Sequence, residues 1–178
     1  AVEAARGEVA LTYFEFGTLA ALWLFARRAL DALVLEVGLG GRLDAVNVVD
    51  ADVAVLTRVG IDHVDYLGAT REDIGREKAG IFRTARPAVI AERDLPLSVV
   101  AHAEAIGAPM LRLGREFDYI EERTQWRYRG PRGERYGLPV PALRGTFQLA
   151  NAATALAVLD CLHERLPVPA GAVRDGLV

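Results

Sequence analysis

Residues 32–60 read Ala32-Leu-Val-Leu-Glu-Val-Gly-Leu-Gly-Gly-Arg-Leu-Asp-Ala-Val-Asn-Val-Val-Asp-Ala-Asp-Val-Ala-Val-Leu-Thr-Arg-Val-Gly60. Two short apolar runs stand in this stretch, Ala32 to Val37 closed by Gly38 and Val53 to Thr57 followed by Gly60. Neither alternates apolar with polar side chains, so each reads as a strand buried on both faces, the signature of a parallel sheet. Helical patterns flank them. Upstream, Tyr13 to Leu30 places Leu19, Leu22, Trp23, Ala26 and Leu30 at helical spacing behind a Thr12/Glu15 capping pair, and should pack against the sheet. Downstream, a charged helix spans Thr70 to Phe82, a strand Pro87 to Ala91, a helix Leu97 to Ile106 and a strand Met110 to Leu113. This alternation predicts an α/β fold, a mostly parallel doubly wound sheet with flanking helices. From Phe117 to Gly137 the pattern changes to alternating aromatic and charged residues, which predicts a small antiparallel segment turning at Gly130-Pro-Arg-Gly133. Pro139 and Pro141 make a linker to an alanine-rich helix, Asn151 to Leu162, with Leu156, Leu159 and Leu162 on its buried face.

The chain has 178 residues, a formal charge of −3, 52% hydrophobic and 25% charged residues. That composition suits one globular domain and excludes disordered and low-complexity classes. The slight acidity argues against a general nucleic-acid surface. Cys161 is the only cysteine, which rules out an internal disulfide and a thiolate metal site and fits a reducing compartment, the cytoplasm by default. The longest apolar run, Leu19 to Ala26, is well short of the roughly 18 residues that span a bilayer, so no membrane association is expected. The sequence starts at Ala1 and its only methionine is Met110. The expectation is therefore a piece of a longer protein.

Three constellations carry chemistry. In the first, Glu36 ends an apolar run and is followed by Gly38-Leu-Gly-Gly41 and Asp44. Ligands of α/β sheets bind beyond the carboxyl ends of strands, where glycines let backbone N–H groups approach anions. A nucleotide site and a tight turn without ligand both fit it. The stretch is neither a dinucleotide fingerprint, lacking the third glycine at its offset, nor a P-loop, because G-x-x-x-x-G-K-[ST] occurs nowhere. In the second, His63 stands between Asp62 and Asp65 just past a strand. An imidazole flanked by carboxylates suits a metal ligand or a general base, and also a surface histidine. His102 and His163 lack that context. In the third, Lys78 shares the helical face of Ile74 and Ile81, which should turn it inward, where burial lowers a lysine's pKa and leaves a neutral, reactive amine.

In order, these segments resemble the central domain of the Mur-type ligases, most closely the folylpolyglutamate synthase and bifunctional dihydrofolate synthase branch. The resemblance rests on Leu35 to Ala45 followed by Asn47, on Asp62-His63 with Leu67-Gly68, and on Glu77-Lys-Ala-Gly-Ile81. Thr12 to Phe16 and Gln148 to Leu156 support it, so it covers most of the chain. It implies ATP-dependent amide synthesis: a folate or dihydropteroate carboxylate is phosphorylated to an acyl phosphate, and the amine of L-glutamate displaces the phosphate. Glu36 and His63 match the family's Mg2+ ligands, and Lys78 matches the lysine carried as a carbamate, an anion able to hold a second Mg2+. The catalytic set it implies is thus Glu36, His63 and Lys78. Asp44, Phe14 and Phe16 match the region that contacts the pterin, and Asn151 the residue placed against the adenine of ATP.

The resemblance also implies a domain division, with residues 1–165 as the central domain and 166–178 opening the next element. The family's P-loop precedes the matched region and its C-terminal domain, which binds glutamate, follows it. Position 148 is Gln where many relatives carry His. The intact protein is expected to be a monomer that binds no nucleic acid, and the isolated chain to have no turnover. Two other classes fit less of the pattern. A nucleotide-binding module without ligase chemistry needs a complete glycine fingerprint, and a structural piece leaves His63 and Lys78 unexplained.

Overall fold

A computed structural model describes residues 1–178. Three short strands, β1 (Ala54–Leu56), β2 (Ala88–Ile90) and β3 (Met110–Arg112), form a parallel sheet in the order β1-β2-β3, with Ala54 opposite Ala88 and Ala88 opposite Met110. Strand residues alternate between two cores. Ala54, Leu56, Ala88 and Ile90 face one core with Ile74 and Ala79 of α4 (Arg71–Ala79) and Val99 and Ala103 of α5 (Leu97–Ile106). Val89 faces the other, with Val53 and Val55 packed beside it. Burial on both faces explains why these runs are apolar throughout.

The second core is closed by an antiparallel sheet, β4 (Asp118–Glu121), β5 (Gln125–Gly130) and β6 (Gly133–Pro139), whose β5–β6 turn falls where the glycines and proline predict it. Trp126 and Tyr128 point inward from β5 with no exposed surface, against Phe117 and the helix α6 (Gln148–Leu162). Tyr128 also donates its hydroxyl to Asp160 of α6 at 2.8 Å. A final short helix, α7 (Ala170–Asp175), buries Val173 in the same core, and the Leu177 carbonyl accepts the Ala142 N–H at 2.8 Å. The last turn therefore packs on the domain.

Two expectations fail at the N-terminal side. The run Ala32 to Val37 forms no strand: it has no ladder partner, and Val34 is 93% exposed. The parallel sheet ends at β1. The helix α2 (Tyr13–Phe25) has its capping box, with Thr12 Oγ1 accepting the Glu15 N–H and Glu15 accepting the Thr12 N–H, but it stops short of Leu30 and buries no residue. A helix packs on a sheet only where paired strands supply a flat apolar face. With 32–37 unpaired, α2 meets α1 (Val2–Arg6) and the 3-10 turn Ala45–Val48 instead. No helix is long and apolar enough to cross a membrane.

Candidate functional site

The site lies beyond the carboxyl end of β1. Chain leaving Leu56 passes Thr57 and Gly60 and reaches His63, which takes a left-handed conformation with φ 49°. Only one other non-glycine residue, Ala85, has positive φ. Such a conformation costs on the order of 1–3 kcal/mol and persists where neighbours impose it. Here the Asp62 carboxylate accepts the His63 N–H at 2.7 Å, and its other oxygen lies 3.6 Å from Nε2. The imidazole opens α3 (Val64–Leu67), and its side chain stays more than half exposed.

The glycine-rich segment approaches from the other side. Asp44 organises it: one carboxylate oxygen accepts the Gly38 and Leu39 N–H groups, each at 3.0 Å, and the other accepts the Val46 N–H at 2.9 Å. A carboxylate offers about four lone-pair positions, so the loop itself occupies most of them. The segment then seats on the end of α4, where the Glu77 carbonyl accepts the Arg42 N–H at 2.9 Å and Arg42 pairs with the Glu77 carboxylate.

These approaches enclose a cavity of about 340 Å³ lined by Glu36, Gly38, Thr57, His63, Ile74 and Lys78 among others. Glu36, His63 and Lys78, drawn from three segments, thus share one rim. Lys78 is half-buried, short of the full burial that its apolar helical face predicts, because α4 presents that position to the open cavity while Ile74 beside it is fully buried. A second cavity of about 330 Å³ adjoins the first through Glu36, and is lined by Tyr13, Phe14, Leu22, Val34 and Val46.

The aromatic pair of α2 does not act as one face. Phe14 lines the second cavity, its ring against Gly38, whereas Phe16 lines neither, since two residues along a helix turn the side chain about 200° away. Asn151 is exposed in the first turn of α6, donates to Gln148 Oε1 at 3.3 Å and lines neither cavity. Its helix is tied to the site by Arg58, whose guanidinium stacks 3.8 Å from the centre of the Phe147 ring, one residue beyond Thr57. Sequence reasoning missed that contact, as it missed Thr57 in the lining.

Would Mg2+ fit? While Asp44 is committed to backbone donors, Glu36 enters no ion pair or hydrogen bond of the fold, so a carboxylate and an imidazole are available on one rim. No three His, Cys, Asp or Glu side chains cluster closely enough to hold a metal. The Asp62 carboxylate and the Thr57 hydroxyl line the same cavity, whereas the Lys78 ammonium has no lone pair to give. The donor set fits Mg2+ with most positions left to phosphate oxygens and water.

Comparison with known proteins identifies the family and the fold. The family model for the Mur ligase middle domain matches residues 5–159. The dihydrofolate synthase/folylpolyglutamate synthase of Escherichia coli is 49% identical over 176 residues, 99% of this chain and 40% of that protein. The folylpolyglutamate synthase of Lacticaseibacillus casei is 34% identical over 94% of this chain and 41% of its own length. Among solved structures, E. coli FolC in complex with DHPP and ADP superposes with a TM-score of 0.92 at 49% identity, covering 98% of this chain and 41% of that one. The Yersinia pestis bifunctional folylpolyglutamate synthase/dihydrofolate synthase complexed with AMPPNP and Mn ion gives 0.89 at 50% identity, over 98% of this chain and 41% of that one. The chain thus spans about two fifths of the length of the relatives it matches.

Proposed function

The chain belongs to the Mur ligase family, and on that premise we propose that the protein containing it is an ATP-dependent ligase joining L-glutamate to the carboxylate of a folate or dihydropteroate through an acyl phosphate. The observation that carries this reading is the meeting of Glu36, His63 and Lys78 at one cavity, with a second, Phe14-walled cavity next to it across Glu36. A relative named for the same reaction binds ADP and DHPP together, which supports two adjoining sites.

The division of labour follows from placement. Phe14 offers a ring face on which a flat pterin can stack, and Asp44 one remaining acceptor position for its N–H groups. Glu36, in both walls, stands where the substrate carboxylate meets the γ-phosphate of ATP. Glu36 and His63 would hold Mg2+ there. When bound, the cation supplies charge compensation for the transferring phosphoryl oxygens. Lys78 in its neutral form adds carbon dioxide with release of a proton, and the resulting carbamate is a further anionic donor on this rim. Asn151 faces the adenine in this reading, with Arg58 and Phe147 setting the position of its helix.

Residues 1–165 are then the central domain, and the phosphate cradle and the glutamate-binding domain belong to other parts of a longer protein, as the length of the relatives suggests. The intact protein is read as a monomer, and a lone half-buried Cys161 suits the cytoplasm. The test is to supply the full-length protein with ATP, Mg2+, labelled glutamate and either dihydropteroate or tetrahydrofolate. Formation of ADP with a glutamyl amide supports the ligase. ATP binding without amide formation from either substrate overturns it in favour of a nucleotide-binding module.

A further inference from the structure

Arg83 lies two residues beyond the Glu77-to-Ile81 segment, and its guanidinium, about one quarter exposed, directs its donors at two parts of the chain. Nη2 donates to the Asn47 backbone carbonyl at 2.7 Å and to Asn47 Oδ1 at 3.0 Å. Nη1 donates to the carbonyls of Ile81 and Phe82 at 3.1 and 3.2 Å and reaches that of Gly80 at 3.4 Å. Nε pairs with Asp50. Asn47 closes the circuit, its Nδ2 donating to the carbonyls of Arg42 and Gly80, each at 3.1 Å. Residues more than 30 positions apart are thereby held by six acceptors around one planar cation.

No residue of the 3-10 turn Ala45–Val48 is buried, and the helix it packs on is α2, which carries neither Lys78 nor its neighbours. Yet that turn sets Asp44, through the Val46 N–H, and Asp44 in turn sets Gly38 and Leu39 next to Glu36. On the other side of Arg83 the tied carbonyls finish α4, which carries Lys78. We propose that Arg83 is a positioning residue that fixes the substrate-side loop 42–50 to the Lys78 end of α4, so that the pterin-side and phosphate-side contacts keep one relative placement. This rests on the ligase reading for its consequence, though the coupling itself does not. Arginine is required because its donors leave in a planar fork; a lysine ammonium is a point charge with three donors on one atom and cannot span these acceptors.

The experiment uses the full-length protein with Arg83→Lys, Arg83→Ala, Asn47→Ala, the Arg83→Ala/Asn47→Ala pair and Asp50→Asn. Hydrogen exchange without ligands comes first. Arg83→Ala and Arg83→Lys should lose protection together over residues 42–50 and 75–82, while Asp50→Asn, which removes only the exposed arm, should not. In ligation assays, Arg83→Lys should raise the KM for the pterin substrate and the half-saturating Mg2+ concentration about tenfold or more, as small misplacements at a reacting centre do. The double variant should be no worse than the worse single one, because both break one circuit. Faster exchange confined to the neighbours of residue 83, or full rescue by Arg83→Lys, overturns the proposal. An inactive parent would defeat the ligase reading while leaving the exchange result to decide on Arg83.

Discussion

A β-carbon on Gly41 would lie 2.9 Å from the carbonyl oxygen of Lys78. The Glu77 carbonyl would be equally close and Ile81 Cγ2 3.0 Å away. Gly80 meets the same interface from the opposite side, where its β-carbon would come within 2.8 Å of Arg42 Cα. The glycine-rich loop and the end of α4 therefore interlock backbone to backbone, and two of the motif glycines serve close approach.

Gly41→Ala and Gly80→Ala should each destabilise the protein by about 1–3 kcal/mol, the usual cost of overpacking, and both should move the loop off Lys78. Chemical denaturation measures the first effect and the Mg2+ requirement for ligation the second. Unchanged stability would mean that the interface opens without cost.

Asp160 is buried with 1% of its side chain exposed, accepting from the Tyr128 hydroxyl at 2.8 Å and pairing with Arg135 at 2.7 Å. Burial, and then the neighbouring carboxylate, push the Tyr128 hydroxyl far above its usual range, so it stays a donor at any working pH. Asp160→Ala should cost about 3–5 kcal/mol, because it strands a buried hydroxyl and a partly buried guanidinium. Tyr128→Phe should cost about 1–2 kcal/mol. Denaturation midpoints check both, and ligand affinities should stay near parental values once the protein is folded.

Glu72 takes the place of an N-cap for α5, whose own cap position is Pro96: its carboxylate accepts the Ser98 and Leu97 N–H groups at 2.7 and 3.1 Å. The Ser98 N–H first, then its hydroxyl and the Leu97 N–H, hold the carboxyl below its ordinary value of 4.5. With the folded pKa below the unfolded one, its stabilisation is complete above the unfolded pKa and is lost as pH falls through the folded one. Melting temperatures followed from pH 7 to pH 3 should fall less steeply below about 4.5 in Glu72→Gln than in the parent. Parallel curves would show that the cap contributes nothing.

Much of the fold is legible from residues 53–113 because strands buried on both faces write themselves as unbroken apolar runs, and α4 and α5 carry helical periodicity. The run Ala32 to Val37 has the same composition and forms no strand, since pairing depends on a neighbour and not on the run itself. At the site, Glu36, His63 and Lys78 are legible from type and spacing at chain positions that the topology brings together. Phe16 misleads because helical period separates it from Phe14. Arg83 and Arg58 are silent in sequence: a guanidinium bound to backbone carbonyls or stacked on Phe147 leaves no pattern, and only coordinates reveal its partners.

The most direct test of a Glu36, His63 and Lys78 centre is the Mg2+ dependence of glutamate ligation by the full-length protein carrying Lys78→Ala, measured beside its parent. Loss of the carbamate proposed at Lys78 should lower the maximum rate on the order of a hundredfold and shift half-saturation to higher Mg2+. Added bicarbonate should restore nothing, because the amine that would take up carbon dioxide is gone, whereas a small carboxylate should recover part of the rate. Superimposable Mg2+ curves with equal maxima would contradict it and leave Lys78 an ordinary residue of α4.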